Sequence, residues 1–242
     1  MILLRSIVFN LLFYGWAAIA GILLLPTLLL PRDRVLDIGC WWSLSVMRLA
    51  RAVCGIDWEI RGLDAIPEGR VIFASKHQSA WDTFLFPALF GQPAAVAKAE
   101  LRYLPFYGWY TSRAGTIWVD RKAGSAAIRS LVRGAHEALA RNRSIFIFPQ
   151  GTRTAPGDYK PYQPGIAALY SNLDLPVVPV ALNSGQFWGR RAFNKLPGKI
   201  IVQCLPAIPA GLPRAEFMKR LEAVIEQETT RLEAAADTRP QG

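Results

Sequence analysis

A chain of 242 residues with 52% hydrophobic side chains is long enough for one sizeable core and too apolar to be disordered. Its formal net charge of +10 points to an anionic partner, whether a phospholipid surface, a phosphate-bearing substrate or an acidic carrier protein. The basic residues are scattered, with no zinc-finger spacing, aromatic RNA-binding run or basic tail, which sets nucleic acid aside, and three distant cysteines (Cys40, Cys54, Cys204) suggest neither a disulfide framework nor a metal knuckle but a reducing compartment.

In chain order, Ile7 to Leu25 carry no charge, and at about 1.5 Å per residue a helix there reaches about 28 Å, the thickness of a hydrocarbon core. Pro26 and Pro31 break it, and Arg5 on one flank against Arg32 and Arg34 on the other leaves its orientation open. Ala18-Ile19-Ala20 resembles a signal-peptide cleavage site, but cleavage there would leave Ile22 to Leu30 as an apolar start, which argues for an anchor instead. A second segment, Ile38 to about Ile56, puts Trp42, Val46, Leu49 and Val53 on one helical stripe. That pattern suits an interfacial helix with Trp41 and Trp42 at headgroup depth, or an ordinary buried amphipathic helix. Residues 1–56 are therefore expected to form a two-helix membrane anchor, 57–236 a catalytic domain and 237–242 a flexible tail.

From Asp57 onward, short apolar β-branched runs alternate with helical patterns, which predicts an α/β domain with a mostly parallel central sheet flanked by helices. Strands are expected at Trp58–Arg61, Val71–Ser75, Ala94–Ala97, Thr116–Val119, Ile145–Phe148, Val177–Leu182 and Lys199–Cys204. Helices are expected at Thr83–Phe90, Gly124–Arg141, Gly165–Ser171 and Arg214–Ala234, the last with a core-facing stripe of Phe217, Leu221, Val224, Ile225 and Leu232.

The chemistry concentrates in four blocks. In His77-Gln78-Ser79-Ala80-Trp81-Asp82, at the end of an apolar strand, a carboxylate can orient an imidazole whose other nitrogen then takes a proton from a substrate; the alternative is a structural histidine bonded to a capping aspartate. The strand Gly115–Val119 delivers Arg121 just past its end, and Phe148-Pro149-Gln150-Gly151-Thr152-Arg153 is a strand followed by a tight turn with another arginine. Two such arginines on neighbouring strand ends can clamp one phosphate. Val177-Val178-Pro179-Val180 puts a proline inside an apolar strand, predicting an edge strand or the floor of an apolar groove. Tyr159, Lys160 and Tyr162 border an acceptor site or belong to a loop, and His136 reads as a surface histidine. Ser79 lacks a GxSxG setting, and no HExxH, Walker A or GxGxxG sequence occurs.

His77 with Asp82, Arg121, the turn ending in Arg153 and Val-Val-Pro-Val together resemble the four ordered blocks of the glycerolipid acyltransferase family, and within it the 1-acyl-sn-glycerol-3-phosphate acyltransferases, over roughly residues 58 to 210. The intervening "AVAKAELRYLPFYGWYTSRAG" is similar to the family's connecting segment and carries Lys98. The resemblance implies a glycerol-3-phosphate acyltransferase-like fold and transfer of a fatty acyl group from acyl-CoA or acyl-carrier protein to the hydroxyl of lysophosphatidic acid, at a cell inner membrane or another membrane with the catalytic domain on the cytoplasmic face. It implies His77 as general base, Asp82 as its orienter, Lys98 or backbone N–H groups on the oxyanion, and Arg121 and Arg153, with Gly151 and Thr152, on the phosphate. Pro179 would line the substrate site. No cofactor or metal is implied. One departure is Gln150, where family members usually carry Glu; Gln keeps a carbonyl acceptor for an acceptor hydroxyl but loses the charge. The alternatives are a different lysolipid acceptor, such as a lyso-ornithine lipid or another lysophospholipid, a His/Asp lipid or thioester hydrolase, and a non-catalytic basic membrane-binding protein.

Overall fold

The computed structural model describes residues 1–237. Seven strands form one sheet: β1 (Ile56–Arg61), β2 (Ile72–Ser75), β3 (Ala94–Lys98), β4 (Ile117–Val119), β5 (Ile145–Ile147), β6 (Val177–Leu182) and β7 (Gly198–Cys204), in the order β1-β7-β6-β2-β5-β3-β4. Every neighbouring pair is parallel except β6 with β7. Strands β2, β5 and β6 are buried on both faces, the burial that near-continuous apolar runs demand.

Side-chain alternation divides the core into two halves. Phe73, Phe146, Val178 and Val180 face helices α1 (Ile2–Leu23), α2 (Arg32–Cys54) and α3 (Asp82–Leu89). Ile72, Ile145, Ile147 and Val177 face α5 (Ser125–Leu139), α6 (Pro164–Leu173) and α7 (Arg214–Asp237). A short helix, α4 (Tyr107–Arg113), absent from the sequence expectation, bridges β3 and β4. Most of the expected tail lies outside the described residues; Asp237 itself closes α7.

Of the α2 stripe read as interfacial, Val46 is fully buried while Trp42, Leu49 and Val53 are half-buried against the same core, in which the neighbouring Met47, Ala50 and Cys54 are fully buried. Gly55 follows in the left-handed region (φ 72°), its N–H returning to Ala50 and Arg51 carbonyls, so the chain turns straight from α2 into β1. One side of α2 therefore packs into the core of the domain, while Trp41 at its outer side stays exposed. Helix α1 is the one described helix long and apolar enough to cross a membrane. It is also stitched to the domain along one side. Phe9 packs edge-on against Trp188 at 5.0 Å, the Ser6 hydroxyl accepts from the Lys195 N–H, and Gly21 lies under the Phe106 ring. Its other face leaves Leu3, Leu4, Leu11, Tyr14 and Leu23 exposed.

Pro179 does not mark an edge: β6 is central, paired with β2 on one side and β7 on the other. Backbone groups of even-numbered residues here point toward β2, as the Lys76 N–H to Val180 carbonyl bond shows, so Pro179 points the other way. There the Pro179 carbonyl accepts from the Leu205 N–H, and antiparallel pairing resumes at Val177 with Ile208, so the missing N–H falls at the irregular stretch between Leu205 and Ile208.

Candidate active site

The C-terminal end of β2 releases the chain into a loop that Asp82, the first residue of α3, draws into shape. Asp82 is fully buried; its Oδ2 accepts from the backbone N–H groups of Gln78 (2.8 Å) and Ser79 (2.9 Å) and from His77 Nδ1 (2.9 Å), and its Oδ1 accepts from the Ser184 hydroxyl (2.5 Å). Four donors and the N-terminus of α3 stabilise a charge that burial alone would expel. Because an ionised carboxylate only accepts, His77 Nδ1 carries the ring proton, and in the neutral ring Nε2 is left with its lone pair.

The His77 ring stacks on Phe148 at 3.6 Å and keeps 11% of its side-chain surface open. Burial pushes its pKa below the ordinary value, Asp82 opposes the shift, and the positive field of Arg153 adds to it. The imidazole is therefore neutral at neutral pH, the form that can take a proton. The His77 carbonyl accepts from the Thr154 N–H at 2.8 Å, locking this loop to the turn after β5.

That turn brings the arginines in. Gly151 has φ +68°, and a Cβ on it would sit 2.7 Å from Arg121 Nη1, so the Arg121 guanidinium lies directly on the glycine backbone. Arg153 is close enough to bias His77. His77, Arg121, Gly151, Thr152 and Arg153 thus converge at the C-terminal ends of β2, β4 and β5, the end at which open α/β sheets present ligand sites. Lys98 is exposed at the end of β3, paired in register with Val119, and no other described residue engages its ammonium. Pro179 lies one strand over, beside Ala74. Among the described residues no group of three or more His, Cys, Asp or Glu side chains is placed to hold a metal ion.

Sequence reasoning missed what braces the His77 loop from beneath. Lys76 is 2% exposed, and its ammonium pairs with Glu226 of α7 at 2.6 Å. Glu226 Oε1 also accepts from the Tyr162 hydroxyl at 2.9 Å, and burial together with this carboxylate drives that phenol's pKa up. Two helical turns on, Glu233 accepts from Gln78 Nε2 (2.5 Å) and from the Gly157 N–H (3.0 Å), while Gln78 Oε1 accepts from the Gly185 N–H. The residues on both sides of His77 are therefore held by one face of α7. Gln150 is part of this cluster: it is buried, its Nε2 lies 3.5 Å from Glu226 Oε1, and its own Oε1 is buried without a hydrogen-bond partner. Its amide nitrogen meets α7. Glu226 and Glu233 border the apolar stripe of α7, next to Ile225 and Leu232, and a seven-residue carboxylate spacing on that flank is the signal that marks them.

A mostly parallel α/β sheet carrying an Asp-oriented histidine and two arginines at its C-terminal edge is the build of a class of enzyme site that can accept a proton beside an anionic group. Comparison with known proteins makes the class specific. The family model described as "Acyltransferase" matches residues 57–183. The 1-acyl-sn-glycerol-3-phosphate acyltransferase of Pseudomonas aeruginosa is 36% identical over 230 residues, covering 93% of this chain and 90% of that one. The human 1-acyl-sn-glycerol-3-phosphate acyltransferase alpha is 28% identical over 209 residues, covering 83% of this chain and 72% of that one. The crystal structure of the 1-acyl-sn-glycerophosphate (LPA) acyltransferase PlsC from Thermotoga maritima superposes with a TM-score of 0.78 at 23% identity, over 97% of this chain and 98% of that one. The chain belongs to the acyltransferase family.

Proposed function

We propose that the protein is a membrane-bound O-acyltransferase that moves a fatty acyl group from acyl-CoA or acyl-carrier protein to the free hydroxyl of 1-acyl-sn-glycerol-3-phosphate, giving phosphatidic acid. The observation that carries this reading is the buried Asp82 carboxylate on His77 Nδ1, which leaves Nε2 as the basic nitrogen beside two arginines. The names of the relatives support the acceptor. In the proposed reaction Nε2 takes the hydroxyl proton as the oxygen attacks the thioester carbonyl carbon. A C–O bond forms, the C–S bond breaks, and the departing sulfur collects the proton from the imidazolium. A thiol with pKa about 8.5 leaves readily, so no protein nucleophile is required. Arg121 and Arg153 hold the acceptor phosphate, the Gly151–Thr152 turn shapes that pocket, and Lys98 or nearby backbone N–H groups meet the developing oxyanion. The outward apolar face of α1 holds the site at the surface of a cell inner membrane or another membrane, with the catalytic domain on the cytoplasmic face.

Purified protein with labelled acyl-CoA and a panel of acceptors tests this, with His77→Ala as control. Transfer to lysophosphatidate that His77→Ala lowers by about 10²–10⁴-fold is the expected result. Transfer only to another lysolipid, or fatty acid released regardless of acceptor, refutes it in favour of a different acceptor or a hydrolase.

A further inference from the structure

Along β4 and α5 lies a cavity of about 440 Å³ walled by five arginines, Arg32, Arg102, Arg133, Arg141 and Arg143. Gly115 and Thr116 place it at the end of β4 opposite Arg121, and none of His77, Asp82, Arg121 or Arg153 lines it. It is distinct from the transfer site.

Gathering like charges around one space is unfavourable unless an anion answers them. No ion pair among the described residues involves any of these five guanidinium groups, although Glu137 shares the cavity wall. Arg143 is committed to the fold: it donates to the carbonyls of Gln92, Pro93 and Ala114, and burial, with Arg32 and Arg141 nearby, lowers its pKa to about 10. The other four keep donors to spare. Arg32 uses only Nε, on the Arg113 carbonyl; Arg141 uses one Nη, on the Glu137 carbonyl; Arg102 and Arg133 bond no other described residue through their side chains. The Ser112 hydroxyl, on the same wall, is buried without a hydrogen-bond partner and adds a neutral donor. Forked guanidinium donors with a hydroxyl suit the oxygens of a phosphate.

The chain flanking these arginines points to the source of that phosphate. Leu29 and Leu30, separated from Arg32 by Pro31, and Tyr103 and Leu104, immediately after Arg102, are exposed. Arg113 bonds the carbonyls of Leu28 and Leu30 and so fixes the corner between α1 and α2 at the cavity. A free inorganic anion has no use for exposed apolar residues beside its arginines in the chain, whereas a lipid presents a phosphate and hydrocarbon together. We propose that this cavity is a second phosphate site that takes the headgroup of an anionic phospholipid and seats the β4 edge of the domain on the membrane. The proposal rests on the membrane reading above.

The test measures binding of the full-length protein to phosphatidylcholine vesicles with and without added phosphatidylglycerol. Removing three near-surface charges at about fivefold each, Arg102→Gln/Arg133→Gln/Arg141→Gln should cut the preference for the anionic vesicles by about 10²-fold. Binding to neutral vesicles, acyl transfer in detergent and circular dichroism should stay unchanged. Arg214→Gln/Lys219→Gln/Arg220→Gln, the same charge loss from exposed positions on α7, should leave the preference near wild type. An undiminished preference in the cavity variant, an equal loss in the α7 variant, or full displacement of the wild type by inorganic phosphate overturns the proposal. Wild-type protein that binds neither vesicle overturns the membrane reading and this site with it.

Discussion

Replacing Glu226 by Gln removes the counter-charge of Lys76 and leaves the geometry otherwise intact. Lys76 is 2% exposed and Glu226 24%, so the ammonium has almost no water to turn to while the carboxylate has some. Breaking a buried pair on one side costs about 3–5 kcal/mol, and the partial exposure of Glu226 puts this case near the lower end, about 3 kcal/mol. For a domain of this size that lowers the melting temperature by about 6–12 °C, measurable by circular dichroism in detergent. The structure also supplies the rescue. Gln150 sits 3.5 Å from the same carboxylate with its Oε1 unsatisfied, so Glu226→Gln combined with Gln150→Glu returns one negative charge to the cluster and should recover most of the loss. Gln150→Glu alone sets two carboxylates against one ammonium; it should destabilise at neutral pH, and less so as acid protonates one of the pair. A Glu226→Gln protein melting within about 1 °C of wild type, or a double variant no better than that single one, refutes the charge-pair account.

Asp82→Asn removes the acceptor that fixes the His77 tautomer and should lower kcat by about 10³–10⁴-fold with little change in KM, read from steady-state transfer assays. Because burial and Arg153 hold the His77 pKa below its ordinary value, the acid limb of kcat/KM should have its midpoint below about 6.5. Arg153→Gln removes one of those causes, so the limb should move to higher pH as KM for the phosphate-bearing acceptor rises; an unmoved limb contradicts the coupling. Gly151→Ala forces a Cβ against the Arg121 guanidinium in a left-handed backbone position that costs about 1–2 kcal/mol, and should raise KM for lysophosphatidate more than it lowers kcat.

What could be read from the sequence and what could not divides along contact range. The seven strands were legible because each is a short apolar run closed by turn residues, and β6 matches its expected bounds, Val177–Leu182. His77 and Asp82 were legible as a pair because five residues and a helix start suffice to bring them together. Periodicity found the stripe on α2 but cannot say what covers it; here the core takes Val46 whole and leaves Trp42, Leu49 and Val53 half-buried. The proline in β6 suggested an edge because the sequence does not reveal the irregular pairing between Leu205 and Ile208 that accommodates its missing N–H. Helix α4 is seven residues long, with Gly108 near its start, too short for a periodic signal. The bonds from Glu226 to Lys76 and from Glu233 to Gln78 span 150 and 155 residues, and no local pattern encodes them. Lys98 drew notice within a family-like segment, while Lys76, directly beside His77, is the lysine that is buried and paired.

The grip of α7 on both flanks of the histidine also sets a timetable for biosynthesis. The glutamates that immobilise the loop leave the ribosome long after it does: at about 5–20 residues per second, the 155 residues separating Gln78 from Glu233 take on the order of ten to thirty seconds. Throughout that interval α1 is already available to engage a bilayer while the imidazole hangs on an unsupported segment. A nascent chain can therefore reach its lipid surface before it is competent to modify lipids, with the docking of the last described helix acting as the step that arms it.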